Sequence, residues 1–208
     1  MRVLNLYAGI GGNAKLWANC EVMAVESNAD IASVYQQNRP DDFVTGKDAK
    51  KFLLARHSEY DFIWASPPCQ SHSRMIRSGR NQSPRYIDLD LWQMIIFLRT
   101  YAPGSWVVEN VRPNYKPLIE PTAVIGRHYF WSNLDLFGIS DVTRPKGFIN
   151  KQNQKAKKEL LDWLGLQCEP NIYYEGNHDP TQIIRNCVHP LIGKAILDLV
   201  IAPNPAQD

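Results

Sequence analysis

From its second residue the chain alternates short apolar, strand-like runs with stretches of helical spacing, and this alternation restricts the fold more than any other feature. Arg2 to Tyr7 reads as a strand, Gly12 to Asn19 as a helix, Glu21 to Glu26 as a strand and Ala29 to Gln37 as a helix. Asp42 to Thr45 predicts a short strand and Tyr60 to Ala65 a buried one. Asp88 to Tyr101 sets Leu91, Met94, Ile95 and Leu98 on one helical face, and the strand-like Ser105 to Glu109 follows. Tyr129 to Trp131 and Leu134 to Phe137 predict a closing pair of strands, and Glu159 to Leu164 and Pro190 to Ile201 two further helices. Parallel neighbours need long crossovers, which the intervening helices supply. The expected architecture is therefore α/β, a doubly wound, mostly parallel sheet with helices on both faces.

A length of 208 residues suits one ordinary domain, and 44% hydrophobic residues with six tryptophans provide a substantial core, which excludes disorder and fibrous repeats. The formal net charge of +2 is too small to mark a nucleic-acid binder by bulk electrostatics, so any basic surface must be local. Met1 and Arg2 lead at once into Val3-Leu4-Asn5-Leu6-Tyr7, without the flanks of a signal peptide, and no apolar run approaches the roughly 18 residues of a bilayer span. A soluble, cytoplasmic protein without membrane contact is expected. Cys20, Cys69, Cys168 and Cys187 form no C-x-x-C pair, and free thiols are the expectation in a reducing compartment.

Tyr7-Ala8-Gly9-Ile10-Gly11-Gly12 is a Gly-rich turn between the first strand and the expected helix. Glycine lets the backbone approach a ligand closely, and a helix N-terminus offers free N–H groups. Glu26 ends the second strand, where a carboxylate can accept from ribose hydroxyls, and Asp48 beyond the third strand could bind a donor on an adenine ring. A nucleoside-containing cofactor is one reading, and a tight turn without a ligand is the other.

Ser66-Pro67-Pro68-Cys69-Gln70 follows the strand Tyr60 to Ala65, at the sheet edge where open α/β folds place their sites. Two prolines stiffen the backbone before the cysteine and fix the direction of its sulfur, as a nucleophile requires. The alternative is a small buried hydrophobe. Val107-Val108-Glu109-Asn110-Val111 runs a strand directly into a carboxylate and an amide. If that strand neighbours the one before Cys69, carboxyl and thiol meet in one cleft, and a partly buried Glu can hold a proton and deliver it to a ring nitrogen. A capping Glu at a strand end is the competing reading.

In this order the three segments resemble the cytosine-C5 DNA methyltransferase family. Gly126-Arg127-His128-Tyr129-Phe130 is similar to its Arg-containing strand, and Arg185-Asn186-Cys187-Val188-His189-Pro190 to the segment before its closing helix. The resemblance implies a sheet of the class I S-adenosylmethionine-dependent methyltransferase type, with S-adenosylmethionine as cofactor and S-adenosylhomocysteine as product. It implies a catalytic set of Cys69, Glu109, Asn110 and Arg127. Cys69 would add to C6 of cytosine, Glu109 would hold N3 and the exocyclic amine, Asn110 would brace the Pro-Cys loop and Arg127 would contact the base O2. Tyr7, Ala8, Gly9, Gly11, Gly12, Glu26, Asp48, Pro68, Leu91 and Asn186 are the implied cofactor contacts. The target base would be flipped from a duplex or already single-stranded.

The segment after the nucleophile carries Arg74, Arg77, Arg80 and Arg85 without an acid. With Gln70 and Ser73, these are the implied DNA contacts, in a loop that closes over the nucleotide; the alternative is a solvated loop. Three segments follow from the resemblance: a catalytic core over 1–137, a reduced target-recognition insert over 138–182 and a C-terminal segment over 183–208 that completes the core. So short an insert offers one helix or loop for base readout, and a protein partner or self-association could supply the remainder. Cys168, His178, Cys187 and His189 fit no common zinc spacing, so no metal is expected. DNA cytosine methylation, tRNA cytosine methylation and non-catalytic nucleic-acid binding are the three readings these residues leave.

Overall fold

The computed structural model describes residues 1–69, 87–148, 154–173 and 179–202. Its strands are β1 (Arg2–Leu6), β2 (Glu21–Val25), β3 (Phe43–Thr45), β4 (Phe62–Ala65), β5 (Ser105–Val111), β6 (Ala123–Ile125) and β7 (His128–Ser132). Its helices are α1 (Ala29–Asn38), α2 (Ala49–Arg56), α3 (Asp90–Tyr101), α4 (Gln154–Leu164), α5 (Gln182–Arg185) and α6 (Pro190–Ile201). One seven-stranded sheet runs in the order β3-β2-β1-β4-β5-β7-β6. Its pairings are parallel from β3 to β5, while β7 lies antiparallel to both β5 and β6. The mostly parallel, doubly wound α/β expectation holds.

Alternating side chains of β1 explain why the strand is apolar almost throughout, since both faces of the sheet are covered. Val3 joins a cluster with Phe62, Trp64, Phe130 and the α6 residues Ile192 and Ile196 on one face. Leu4 and Leu6 join Phe52 of α2, Ile95 and Leu98 of α3, and Trp106 on the other. The polar exception, Asn5, is fully buried, and its side-chain oxygen accepts from Asn13 Nδ2 at 2.9 Å. A third cluster packs Leu160 and Leu164 of α4 with Ile10, Ile31 and Val34, tying the segment after β7 to the first turn and to α1. Among the described residues no helix is long and apolar enough to cross a membrane.

Two expected elements are absent. Residues 12–19 form turns and no helix. Their backbone groups are engaged elsewhere: the Trp17 carbonyl accepts from Arg39 Nη1 at 2.8 Å, and Asn19 adopts a left-handed φ of 59° that ends any helical run. Leu134 to Phe137 is likewise no strand. The Ser132 hydroxyl takes the Leu134 N–H and Asp135 takes the Phe137 N–H, so side chains capture the backbone donors that a sheet would need. The partner of β7 is instead β6, joined to it through Gly126 at φ 59°. Helices α2 and α5 and strand β6 lie outside the expected set, and α4 begins at Gln154, ahead of the expected Glu159 start.

Candidate active site

The parallel strands β1, β2, β4 and β5 all end on one edge of the sheet, and a cavity of about 490 Å³ lies against that edge. One side of it is the turn after β1. Tyr7, Gly9 and Gly11 adopt left-handed φ values of 55°, 56° and 89°. The Gly9 N–H donates to one oxygen of Glu26 at 3.1 Å, and the Asn28 N–H to the other at 3.0 Å. Glu26 thus ties the turn to the cap of α1 while it lines the cavity, and a carboxylate oxygen can accept more than one hydrogen bond. A Cβ on Gly9 would meet nothing within 4 Å, so a ligand can approach the backbone there. Gly12 has no such room, because its Cβ would fall 2.6 Å from Cys187 Cβ. Burial, reinforced by Asp48, Asp90 and Asp88, pushes the Tyr7 hydroxyl up to about 12, so it remains a donor.

Tyr7, Ala8, Gly9, Gly12, Glu26, Pro68 and Asn186 line this cavity. Three of the expected cofactor contacts do not. Gly11 faces the ring of Tyr35, Asp48 caps α2 by accepting from the Lys51 N–H at 2.7 Å, and Leu91 is buried in the core under α3. The helix expected after Gly12, with its N-terminal N–H groups, is replaced by turns.

The other side is built from β4 and β5. Cys69, half-buried, lines the cavity together with Ser66, Glu109 and Asn110. Because β4 and β5 are neighbours, Asn110 Nδ2 reaches the Pro67 carbonyl at 3.0 Å. Glu109 is 5% exposed, and burial raises its carboxyl to about 7 against the opposing influence of the Ser66 hydroxyl and the Arg127 charge. Ser66 Oγ in turn accepts from Trp64 Nε1 at 2.9 Å. A carboxyl in this setting carries a proton near neutral pH and can release it to a bound base.

Arg127 does not line the cavity. It donates through Nη2 to the Arg185 carbonyl at 2.8 Å and through Nε to His128 Nε2 at 3.1 Å, close enough for its charge to act on Glu109 and Cys69. Gln70, Ser73, Arg74, Arg77, Arg80 and Arg85 lie outside the described residues. So does His178, and among the described residues no three His, Cys, Asp or Glu side chains gather as a metal site. Ser66, His128, Cys187 and Ile183 belong to the site or its wall, and sequence reasoning gives none of them a role there. Ser66 stands beside the Pro-Pro-Cys segment as a visible signal, whereas nothing in the sequence marks Ile183.

Residues 1–117 match the family described as C-5 cytosine-specific DNA methylase. The type II methyltransferase M1.BsuMI of Bacillus subtilis (strain 168) is 27% identical over 135 residues, 53% of this chain and 31% of that protein. The tRNA (cytosine(38)-C(5))-methyltransferase of Homo sapiens is 34% identical over 86 residues, 38% of this chain and 22% of that protein. These matches therefore span less than a third of either relative. Among solved structures, a mutant of DNMT2 from Spodoptera frugiperda superposes with a TM-score of 0.56 at 14% identity, covering 97% of this chain and 99% of that one. That likeness shows a shared fold.

Proposed function

The chain belongs to the C-5 cytosine-specific DNA methylase family, and from that premise we propose that it methylates C5 of cytosine in DNA through a covalent bond between Cys69 and C6. The observation that carries this reading is the meeting of Cys69 and Glu109 in one cavity, with Asn110 holding the loop between them. C5 of cytosine is a weak nucleophile. Addition of the Cys69 thiolate to C6 forms a carbon–sulfur bond and pushes electron density toward C5 and N3. Glu109 delivers its proton to N3 as that charge develops, and the positive charge of Arg127 adds stabilisation. C5 would then take the methyl group of bound S-adenosylmethionine, leaving S-adenosylhomocysteine; loss of the C5 proton returns the bonding pair to the C5–C6 bond and expels the Cys69 sulfur, and N3 gives its proton back to Glu109, which restores the enzyme.

The turn side of the cavity fits S-adenosylmethionine. Glu26 presents a carboxylate at the cavity wall, Gly9 leaves open space beside the backbone, and Tyr7 offers an aromatic ring with a protonated hydroxyl. When bound, that cofactor supplies an electrophilic methyl group. Arg74, Arg77, Arg80 and Arg85 follow Cys69 in the chain and track phosphates in this reading, and residues 138–182 serve as a reduced target-recognition insert, with a partner or second copy supplying further contacts.

The test is trapping. Single- or double-stranded DNA carrying 5-fluorocytosine, incubated with S-adenosylmethionine, is expected to become covalently attached to the wild type and not to Cys69→Ala. Cofactor binding without any trapped complex sinks the proposal. A second reading, tRNA as substrate, is favoured by the higher identity to the human relative. Methyl transfer to duplex DNA and to tRNA, measured side by side, separates the two.

A further inference from the structure

Where β7 begins, Arg127 Nε points at His128 Nε2 across 3.1 Å. An arginine Nε always carries hydrogen, so the nitrogen facing it must be the bare acceptor of an uncharged imidazole. The ring proton then sits on Nδ1, which is buried and has no hydrogen-bond partner among the described residues. Burial and the charges of Arg127 and Arg144 all oppose a second proton on the ring. An aliphatic side chain would fill this place on β7 without leaving a buried donor unpaired. Histidine here points to a use for the acceptor nitrogen.

That nitrogen also lies 3.9 Å from Glu109 Oε1, on the strand that pairs with β7. The imidazole edge therefore stands near both the guanidinium and the carboxyl. We infer that His128 is a positioning residue that keeps Arg127 and Glu109 apart, engaging the Arg127 Nε–H so that the guanidinium does not swing onto the carboxylate. A direct ion pair between the two would hold Glu109 ionised and remove the proton it is to deliver. The groups facing this pair are Cys69 after β4, Arg144, and Arg185 and Cys187 beside α5, and Arg127 is anchored on the α5 side by the Arg185 carbonyl. The inference rests on the methyl-transfer reading given above.

His128→Leu removes the acceptor, and His128→Gln restores an oxygen near the same point. In His128→Leu the upper edge of the pH–rate profile is expected to move down by about one pH unit or more, and in His128→Gln to return to the wild-type position. An unshifted profile in His128→Leu overturns the inference, as does a His128→Gln profile that matches His128→Leu while both variants bind S-adenosylmethionine like wild type. Nitrogen-15 NMR of histidine-labelled wild-type protein reads the contact without catalysis, and keeps the inference testable if a variant does not fold. An Nδ1–H tautomer that persists well below the ordinary imidazole titration range is expected. An Nε2–H tautomer, or ordinary titration near 6.5, overturns it. A wild type that traps no cytosine substrate refutes the methyl-transfer reading, and the NMR result still decides the His128 contact.

Discussion

Asn110 spans the gap between two strand ends, donating Nδ2 to the Pro67 carbonyl at 3.0 Å while its own oxygen accepts from the Val111 N–H at 2.9 Å. The strand that carries Glu109 therefore fixes the loop that carries Cys69. That amide thus joins the β4–β5 pairing in setting the separation of thiol and carboxyl.

Asn110→Ala leaves the Pro67 carbonyl without its donor in a buried place, at a cost of about 1–3 kcal/mol. Denaturant unfolding should show that loss. The turnover number should fall by about tenfold or more while the affinity for S-adenosylmethionine stays within about twofold, since misplacing a reacting group affects the chemical step first. Equal losses in both would contradict the bracing role.

Glu109 has a carboxyl raised from 4.5 to about 7 by burial. Between those values the unfolded chain is ionised while the folded one keeps its proton, so the folded state binds more protons. The stabilisation is complete below about 4.5 and is lost as pH rises through about 7, a span worth at most about 3 kcal/mol. In Glu109→Gln this slope should vanish, so wild type minus variant stability declines from about pH 5 to about pH 8. Parallel urea titrations across that range make the measurement, and identical slopes would count against a protonated Glu109. Methyl transfer by the wild type should also decline above about pH 7.

Gly9 and Gly12 of the turn differ in what a methyl group would meet. At Gly9 it enters open space and bears only the left-handed backbone cost of about 1–2 kcal/mol. At Gly12 it lies 2.6 Å from Cys187 Cβ and 2.9 Å from the Val188 carbonyl, so the C-terminal segment must move away. Gly12→Ala should cost more than Gly9→Ala, by about 1–3 kcal/mol, with a melting temperature lower by several degrees. Calorimetry of both variants checks the ranking.

Gly193→Ala is expected to be worse than either. A Cβ there would sit 1.9 Å from the Asn13 carbonyl oxygen, a backbone atom that cannot rotate aside. The Trp17 Nε1 bond to the Gly193 carbonyl, 3.0 Å, would go with it. Loss of about 3 kcal/mol or more is expected, seen as reduced soluble yield and a lower unfolding midpoint; a variant as stable as wild type would refute the close contact.

The sheet is legible in the sequence because its strands are buried on both faces and so read as unbroken apolar runs, β4 being buried at all four positions. The helix expected over 12–19 fails for a reason absent from local spacing: its groups are claimed by Arg39 and by α6, far away in sequence. Helix α2 carries little amphipathic signal, and its cap, Asp48, suggests a ligand contact as readily as a helix start. The acid, the thiol and the bracing amide stand in sequence beside their strand ends. His128 does not stand out, because its importance comes from its closeness to Glu109, which only the pairing of β5 with β7 brings about.

Helix α6 closes on Asn13 and Trp17, and Asn186 and Cys187 form part of the cavity wall together with the Gly-rich turn. During synthesis the first strand and turn leave the ribosome early, yet Trp17 waits for a partner 176 positions later before its side of the pocket is complete. In the methyl-transfer reading, cofactor binding thereby becomes a report on synthesis having passed α6: a nascent chain that stops before Asn186 already holds Cys69, Glu109 and Asn110 and has no closed place to put a methyl donor.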